Sequence, residues 1–399
     1  MLALEMYRSV TRTVAAKGLR VIAPVVNPPI APLRLVNRDE PKGRGAGWAR
    51  IRTRLSGICG SDLGAVTGTT GLYFSALVSM PFVPGHEVVG DLLDDCGDLP
   101  AGTRVVLDPV LACAARGVEP CPGCASGNTN RCDRITVGHV SAGLQTGFCA
   151  DTGGGWSGVL VAHRSQLHVV PDEMSDERAV LVEPLSCAVH TALRAGVRAG
   201  DNVLVSGAGA VGLLATLALR ELTPAGRITV VGKHPRQREL ALSFGATEVI
   251  APDDVFHGVR RRTRAFRLEP DFSSPFLLGG VDLAVDAVGS KQSLDTALRA
   301  TRAGGRVVLS GMPASGADLS PVWFRELTVV GTYASAAHEA AADGRSAFDI
   351  AMELAGSAPL DGLVAATYPL NRWREALDHA QSAGRLGSVK VAFDPRRSS

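Results

Sequence analysis

The chemistry in this sequence concentrates first at Gly207-Ala-Gly-Ala-Val-Gly212, a GxGxxG run. An apolar stretch, Val203–Ser206, precedes it, and a helical pattern, Ala210–Glu221, follows. That strand–turn–helix context gives the motif its weight. Gly207 permits a tight turn, Gly209 lets the backbone approach a pyrophosphate, and Gly212 lets helix pack closely on strand. The helix start at Ala210, Val211 and Gly212 offers free N–H groups and a positive dipole end to phosphates. About 20 residues further on, a site for NAD usually carries an acidic residue for the ribose 2′-OH. Here that place is Gly232, followed by Lys233, His234 and Arg236. A small residue followed by cations suits a 2′-phosphate. The plainer reading is a turn with exposed cations. Only five lysines occur, at 17, 42, 233, 291 and 390, and one of them stands here.

Something must position that turn. At 399 residues the chain suggests two or three domains. It is 46% hydrophobic and 20% charged, enough apolar content for a large core. A net charge of +2 argues against nucleic-acid or membrane partners held by bulk charge. Gly64–Gly85 is uncharged, but Pro81, Pro84 and its glycines break it as a membrane span. The start of the chain has Glu5 and no apolar core of a signal peptide, so a cytoplasmic location is expected. There the eight cysteines read as metal ligands or free thiols before disulfides.

The first ~180 residues are rich in Gly and Pro, with short strand-like runs such as Ala49–Thr53 and Thr103–Leu107. Beyond Asp201 the texture alternates. Strands are predicted at Ile228–Val231, Glu248–Ile250, Val281–Asp286, Arg306–Ser310 and Thr328–Gly331, with helices at Arg236–Phe244 and Gln292–Arg302. This predicts an α/β chain: an irregular β-rich domain, then a parallel doubly wound sheet. Trp373, Ala376, Leu377 and Ala380 have the spacing of an amphipathic helix. Two stretches look like insertions: the proline-rich Val21–Leu33, and Val255–Gly280 with Arg260, Arg261, Arg262, Arg264 and Arg267, read as a solvated loop or helix face.

Four motifs in order complete a resemblance: Gly57-Ile-Cys-Gly-Ser-Asp62, Pro84-Gly-His-Glu-Val-Val-Gly90, Val182-Glu-Pro-Leu-Ser-Cys-Ala-Val-His190 and the glycine run. From about residue 35 to 395 the chain resembles the medium-chain, zinc-dependent alcohol dehydrogenases, and Glu183-Pro184 is similar to the polyol, sugar and threonine dehydrogenase branch. The resemblance implies a GroES-like catalytic domain over 1–184, completed by 337–399, and a Rossmann domain over 185–336. It implies a catalytic zinc at Cys59, His86 and Glu183, with Glu87 a ligand in some members; only the resemblance brings these distant residues together. One thiolate, one imidazole and one carboxylate suit zinc and leave a position open. Cys187 is a less favoured ligand. Zinc would lower the pKa of a substrate hydroxyl, and hydride would pass to the nicotinamide. Ser61 occupies the position that takes the proton, whereas the family's relay histidine is replaced by Gly64. Cys121, Cys124 and Cys132 match three ligands of a structural zinc; the fourth should be at 118, which is Val118, so Cys113 is the candidate. Cys96 and Cys149 read as buried thiols. Ala287, Val288, Gly289 and Ser310 are expected beside the nicotinamide, and Lys390 at the pyrophosphate.

The expected function is therefore a zinc-dependent alcohol or polyol dehydrogenase preferring NADP(H), with NAD(H) accepted, working as a homodimer or homotetramer on a small alcohol or carbonyl. Two rivals are a zinc-free enone or quinone reductase of the same fold and a zinc-lobe nucleic-acid-binding protein. The first has no need of Cys59, His86 and Glu183 together. The second rests on the arginine run alone.

Overall fold

The computed structural model describes residues 1–22, 30–336 and 344–398. Most of the proline-rich segment and the start of the expected C-terminal return, 337–343, lie outside them. The chain divides into two compact units, Met1–Glu183 with Met352–Ser399, and Pro184–Ala351.

The first unit is built on a mostly antiparallel sheet. Its strands run Val364–Tyr368, Lys390–Phe393, Trp48–Gly57, Val88–Leu92, Arg104–Leu107 and Leu167–Val169, and Val159–His163 also pairs with Trp48–Gly57. Apolar residues of these strands, among them Ile51, Val88, Val105 and Leu160, bury one core. A second core joins Leu4, Phe82 and Trp156 to Trp373, Leu377 and Phe393. The amphipathic tail helix, Trp373–Ser382, thus buries its apolar stripe in this unit. A strand pair, Leu2–Met6 with Leu33–Asn37, and a helix, Val10–Ile22, precede the first domain strand.

The second unit carries six parallel strands in chain order 3-2-1-4-5-6. They are Asn202–Ser206, Arg227–Val231, Glu248–Ile250, Val281–Asp286, Thr301–Leu309 and Thr328–Gly331. This is the doubly wound dinucleotide-binding order, whose switch point lies between the first and fourth strands. The fifth strand starts at Thr301 rather than Arg306, because Val281 pairs with Thr301 before a bulge resets the register. The helix expected over Gln292–Arg302 accordingly ends at Ala300.

The arginine-rich insertion is a solvated helix face in its first part, with Arg260, Arg261 and Arg262 exposed. It forms a helix, Val255–Thr263, and a hairpin of Phe266–Leu268 with Phe276–Leu278. Val255, Val259 and Leu277 are buried together. Arg262 pairs with Glu248 at 2.7 Å and Arg267 with Glu269 at 3.0 Å.

Among the described residues no helix is long and apolar enough to cross a membrane. All eight cysteines are free thiols.

Candidate active site

Cys59 follows the strand Trp48–Gly57 by two residues and caps the helix Gly60–Val66, which carries Ser61, half-buried, in its first turn. Asp62 stands three residues after Cys59, so the helix turn returns its Oδ2 to accept the Cys59 backbone N–H at 3.0 Å. The other oxygen, Oδ1, lies 3.3 Å from His86 Nδ1. A carboxylate holding one ring nitrogen leaves the other, Nε2, for a metal. Sequence reading passed over Asp62, whose contact with His86 joins two separate motifs.

Ligand atoms of Cys59, His86 and Glu87 all lie within 4.8 Å of one another. Gly57 makes room for them, since a Cβ there would stand 1.8 Å from Glu87 Oε2. His86, Glu87 and Glu183 are buried, Cys59 and Ser61 are half-buried, and the Phe148 ring centroid sits 5.9 Å from that of His86. Burial by itself pulls the His86 imidazole down, but Asp62 and Cys59 carry it well above its ordinary value. Glu183, first-turn residue of the helix Val182–Arg194, is pushed up to about 7, by burial first, with His86 pulling down and Glu87 up. It shares the electrostatic neighbourhood of the trio without joining that close cluster. Buried acid, thiol and imidazole facing one another fit a divalent cation, which would remove their mutual conflict.

Lys390 is a correction. It does not wait for a pyrophosphate: it is buried, and its Nζ donates to both Glu87 oxygens at 2.6 and 2.7 Å. Burial lowers the ammonium pKa, but Glu87 and then Cys59 raise it above the usual lysine value. The nucleotide reading failed because a lone basic residue near the chain end has no spacing signal. The burial of Lys390 in the strand Lys390–Phe393, beside Trp48–Gly57, settles its role. Lys390→Met should leave Glu87 as an uncompensated buried charge, at a cost of about 3–5 kcal/mol. A melting temperature equal to wild type would contradict that pairing.

The cysteine lobe assembles as four. Cys113, Cys121, Cys124 and Cys132 bring their sulfurs within 4.8 Å of one another. Cys113 and Cys132 Sγ are 3.6 Å apart. Backbone N–H groups of Cys121 and Arg134 donate to the sulfurs of Cys113 and Cys132, both at 3.4 Å. Burial pushes the Cys121 thiol up, yet N–H donors of Cys124 and Asp133 and the neighbouring thiols bring it down to about 6. Burial pushes the neighbouring Cys124 and Cys132 thiols the other way, up, so the tightly coupled set becomes four thiolates when a metal takes up their charge. Cys113 therefore takes the place that Val118 vacates. Cys96 and Cys149 are buried apart from both clusters.

In the second unit Gly207 has φ +104°, and a Cβ on it would stand 2.4 Å from Val288 Cγ2. Gly209 caps the helix Ala210–Leu222, and nothing lies within 4 Å of where its Cβ would be. The turn is thus an open cradle at a helix N-terminus. Asp286 shapes the neighbouring loop, its Oδ1 accepting the N–H groups of Val288 and Gly289 at 3.1 Å. Asp286 Oδ2 and Ser206 Oγ, side by side at the strand ends, are buried without a hydrogen-bond partner among the described residues. These orphans border the cradle and fit a polar ligand there. The Ser310 hydroxyl lies 2.9 Å from Thr191 Oγ1.

After the second strand, Lys233 is exposed and His234 half-buried as the cap of the helix Pro235–Ser243. Arg236 points away into an exposed ion pair with Glu239 at 3.2 Å. The cation packed on Gly232 is Arg238, which sequence reading passed over. A Cβ on Gly232 would stand 3.1 Å from Arg238 Cγ and 3.5 Å from Ala208 Cβ. Helical periodicity could have found it, since Arg238 lies one turn after His234 and Pro235.

Comparison with known proteins agrees with this geometry. The alcohol dehydrogenase GroES-like domain model matches residues 45–172, and the zinc-binding dehydrogenase model residues 210–354. The L-idonate 5-dehydrogenase of Vitis vinifera is 32% identical over 293 residues, spanning 71% of this chain and 72% of the relative. A sorbitol dehydrogenase of Arabidopsis thaliana is 31% identical over 295 residues, spanning 71% and 73%. Among solved structures, the 2R,3R-butanediol dehydrogenase of Bacillus subtilis superposes with a TM-score of 0.68 at 25% identity, over 91% of this chain and 96% of that one. The chain belongs to the zinc-dependent medium-chain alcohol dehydrogenase family. It is an oxidoreductase acting on a CH–OH group or the matching carbonyl, with zinc and a nicotinamide cofactor.

Proposed function

We propose that this chain oxidises a small alcohol or polyol, or reduces the matching carbonyl, at a zinc held by Cys59, His86 and the carboxylates of Glu87 and Glu183, with NADP(H) preferred. The closely packed trio of half-buried Cys59 with buried His86 and Glu87 carries the reading. A bound zinc supplies the Lewis acidity that makes a substrate hydroxyl acidic enough to lose its proton. The chain's own residues do the rest. Asp62 fixes the His86 ring, Lys390 offsets part of the carboxylate charge, and Phe148 shields the imidazole from water. Ser61, in the helix that Cys59 caps, receives the substrate proton. Gly64 offers no imidazole to pass it on, so water beside Gly64 completes the exit.

The tetrathiolate lobe holds a second, structural zinc. Metal-replete wild type should contain about two zincs per chain and Cys113→Ser about one, with lower thermal stability. A metal analysis returning one zinc for wild type would leave the lobe empty. Cofactor discrimination rests with Gly232, Lys233 and Arg238, and the phosphates with Ala210, Val211 and Gly212.

The protein acts in the cytoplasm as a homodimer or homotetramer. The edge strand Thr328–Gly331 and the adjoining helix Ser320–Phe324 support self-association, because Trp323 is 84% and Phe324 65% exposed there. Trp323→Glu should lower the mass measured by light scattering to that of one chain, 41.5 kDa. An unchanged oligomer would place the interface elsewhere. Steady-state assays of alcohols and carbonyls by nicotinamide absorbance test the whole reading, and no turnover by the zinc-loaded protein with either cofactor would overturn it.

A further inference from the structure

Between Cys113 and Cys121 the chain carries Ala114-Ala-Arg-Gly-Val118, and the arginine in that stretch does not reach solvent. Arg116 is 0% exposed. Its guanidinium donates only to backbone carbonyls: Leu111 at 2.9 Å through Nε, Val137 and Val140 at 3.0 and 2.9 Å through Nη1, and Gly143 at 2.6 Å through Nη2. Ser141 O accepts longer bonds, at 3.4 Å, from both terminal nitrogens. Among the described residues no carboxylate pairs with it. Asp151, the acid in its surroundings, is engaged with the Ser141 N–H at 2.7 Å and with Arg44 at 3.6 Å. A guanidinium buried on neutral acceptors alone is costly, because desolvation of a charge exceeds what carbonyl dipoles return. The backbone ties Arg116 directly to the lobe, its N–H donating to Cys113 O at 3.1 Å.

We propose that Arg116 is the buried counter-cation and brace of the four-cysteine site, the positioning residue that lets Cys113 serve as its fourth ligand. This rests on the reading that the lobe binds zinc. A zinc tetrathiolate carries a net double negative charge, and a cation buried in the same lobe offsets part of it. Its fork holds Leu111, before Cys113, to the segment 137–143, after Cys132. The same cation therefore closes the loop that the displaced first cysteine lengthens. Gly143 in turn pairs with Val78, so the brace reaches the loop ahead of His86.

The test compares zinc content and zinc release in wild type, Arg116→Met and Arg116→Lys. Zinc is counted by metal analysis, and release is timed with a chromophoric chelator. Cadmium exchanged into the lobe reports ligation through its thiolate charge-transfer absorbance. Arg116→Met should keep the catalytic zinc, lose the lobe zinc, and show the absorbance of fewer than four thiolates. Arg116→Lys keeps the charge without the fork, so it should bind two zincs and release one about tenfold faster than wild type. Arg116→Met holding two zincs with wild-type release would overturn the proposal, as would a lysine variant no better than methionine. If Arg116→Met does not fold, wild type serves. Stripping its lobe zinc should then raise hydrogen exchange across 137–145, and unchanged protection would overturn the brace. One zinc in wild type would instead refute the lobe-zinc reading.

Discussion

Cys59→Ala is expected to abolish turnover while leaving the nucleotide turn able to bind its ligand. Cys59 supplies the only thiol in the cluster with His86 and Glu87, and it is the residue that caps the helix carrying Ser61. Loss of the sulfur leaves one imidazole and acids that Lys390 already half neutralises, a set of much lower zinc affinity. Lewis-acid stabilisation of a developing alkoxide amounts to several kcal/mol. At about 1.4 kcal/mol per factor of ten, kcat/KM should fall by roughly 10³-fold or more. The backbone contribution survives, because Asp62 accepts the N–H of residue 59 and not its side chain. The fold should therefore persist, and the second unit should bind cofactor as wild type does, measured by nicotinamide fluorescence. Zinc content should drop by about one per chain, the lobe retaining its own. Full activity in a preparation shown to lack that zinc would refute the assignment. A variant that lost cofactor binding as well would point to global damage and call for Cys59→Ser.

Which of these residues the sequence exposed follows from the range of the interactions. The glycine turn is local, written in six consecutive positions and their flanks, and in the structure Gly207 and Gly212 are closely packed while Gly209 starts the helix with open space beside it. Strands of the parallel sheet were legible because buried strands are short apolar runs bounded by breakers. The candidate metal ligands were not legible from spacing, since Cys59 and His86 are brought together by the pairing of Trp48–Gly57 with Val88–Leu92, and Glu183 comes near them from the helix Val182–Arg194 without joining the close cluster. Resemblance named them, and the structure adds what resemblance did not, the Asp62–His86 contact and the Lys390–Glu87 pair. Lys390 was misread for the same reason, because its partner lies 303 positions away. Arg116 and Arg238 were overlooked for a different one. In a chain rich in arginine, a single guanidinium carries no signal until its burial or its neighbour is known. The helix and hairpin at Val255–Leu278 bear out the solvated face, with Arg260, Arg261 and Arg262 exposed, and add what the charge count did not show: Val255 and Val259, one helical turn apart, pack inward with Leu277 of the hairpin.

Replacing Gly232 with Asp is expected to turn the cofactor preference from NADP(H) towards NAD(H). Gly232 ends the second strand, where its N–H donates to Ile250 O at 3.0 Å and its Cα faces Ala208 of the glycine turn. A carboxylate there would accept hydrogen bonds from a ribose 2′-OH and repel a 2′-phosphate. The new Cβ meets Val249 Cγ1 at 3.0 Å and Arg238 Cγ at 3.1 Å. Arg238 is half-buried and flexible, held through Nη2 to Val249 O at 3.3 Å, so its stem can give by a few tenths of an ångström. The new carboxylate would also pair with that guanidinium, withdrawing it from the phosphate. Each charge-assisted contact to a phosphate contributes about 1.5–3 kcal/mol. The exposed Lys233 belongs at the low end, because water screens it. Lys233→Ala should then weaken NADP(H) by about tenfold and leave NAD(H) nearly unchanged, and Arg238→Ala should do at least as much. Arg236→Ala should change neither, since Glu239 already holds that side chain. Gly232→Ala separates sterics from charge: it introduces the same Cβ without the carboxylate and should keep the wild-type preference. The measurement is kcat/KM for both cofactors with one common substrate. A tenfold preference of wild type for NAD(H) would show that the cations after Gly232 serve the surface and not the cofactor.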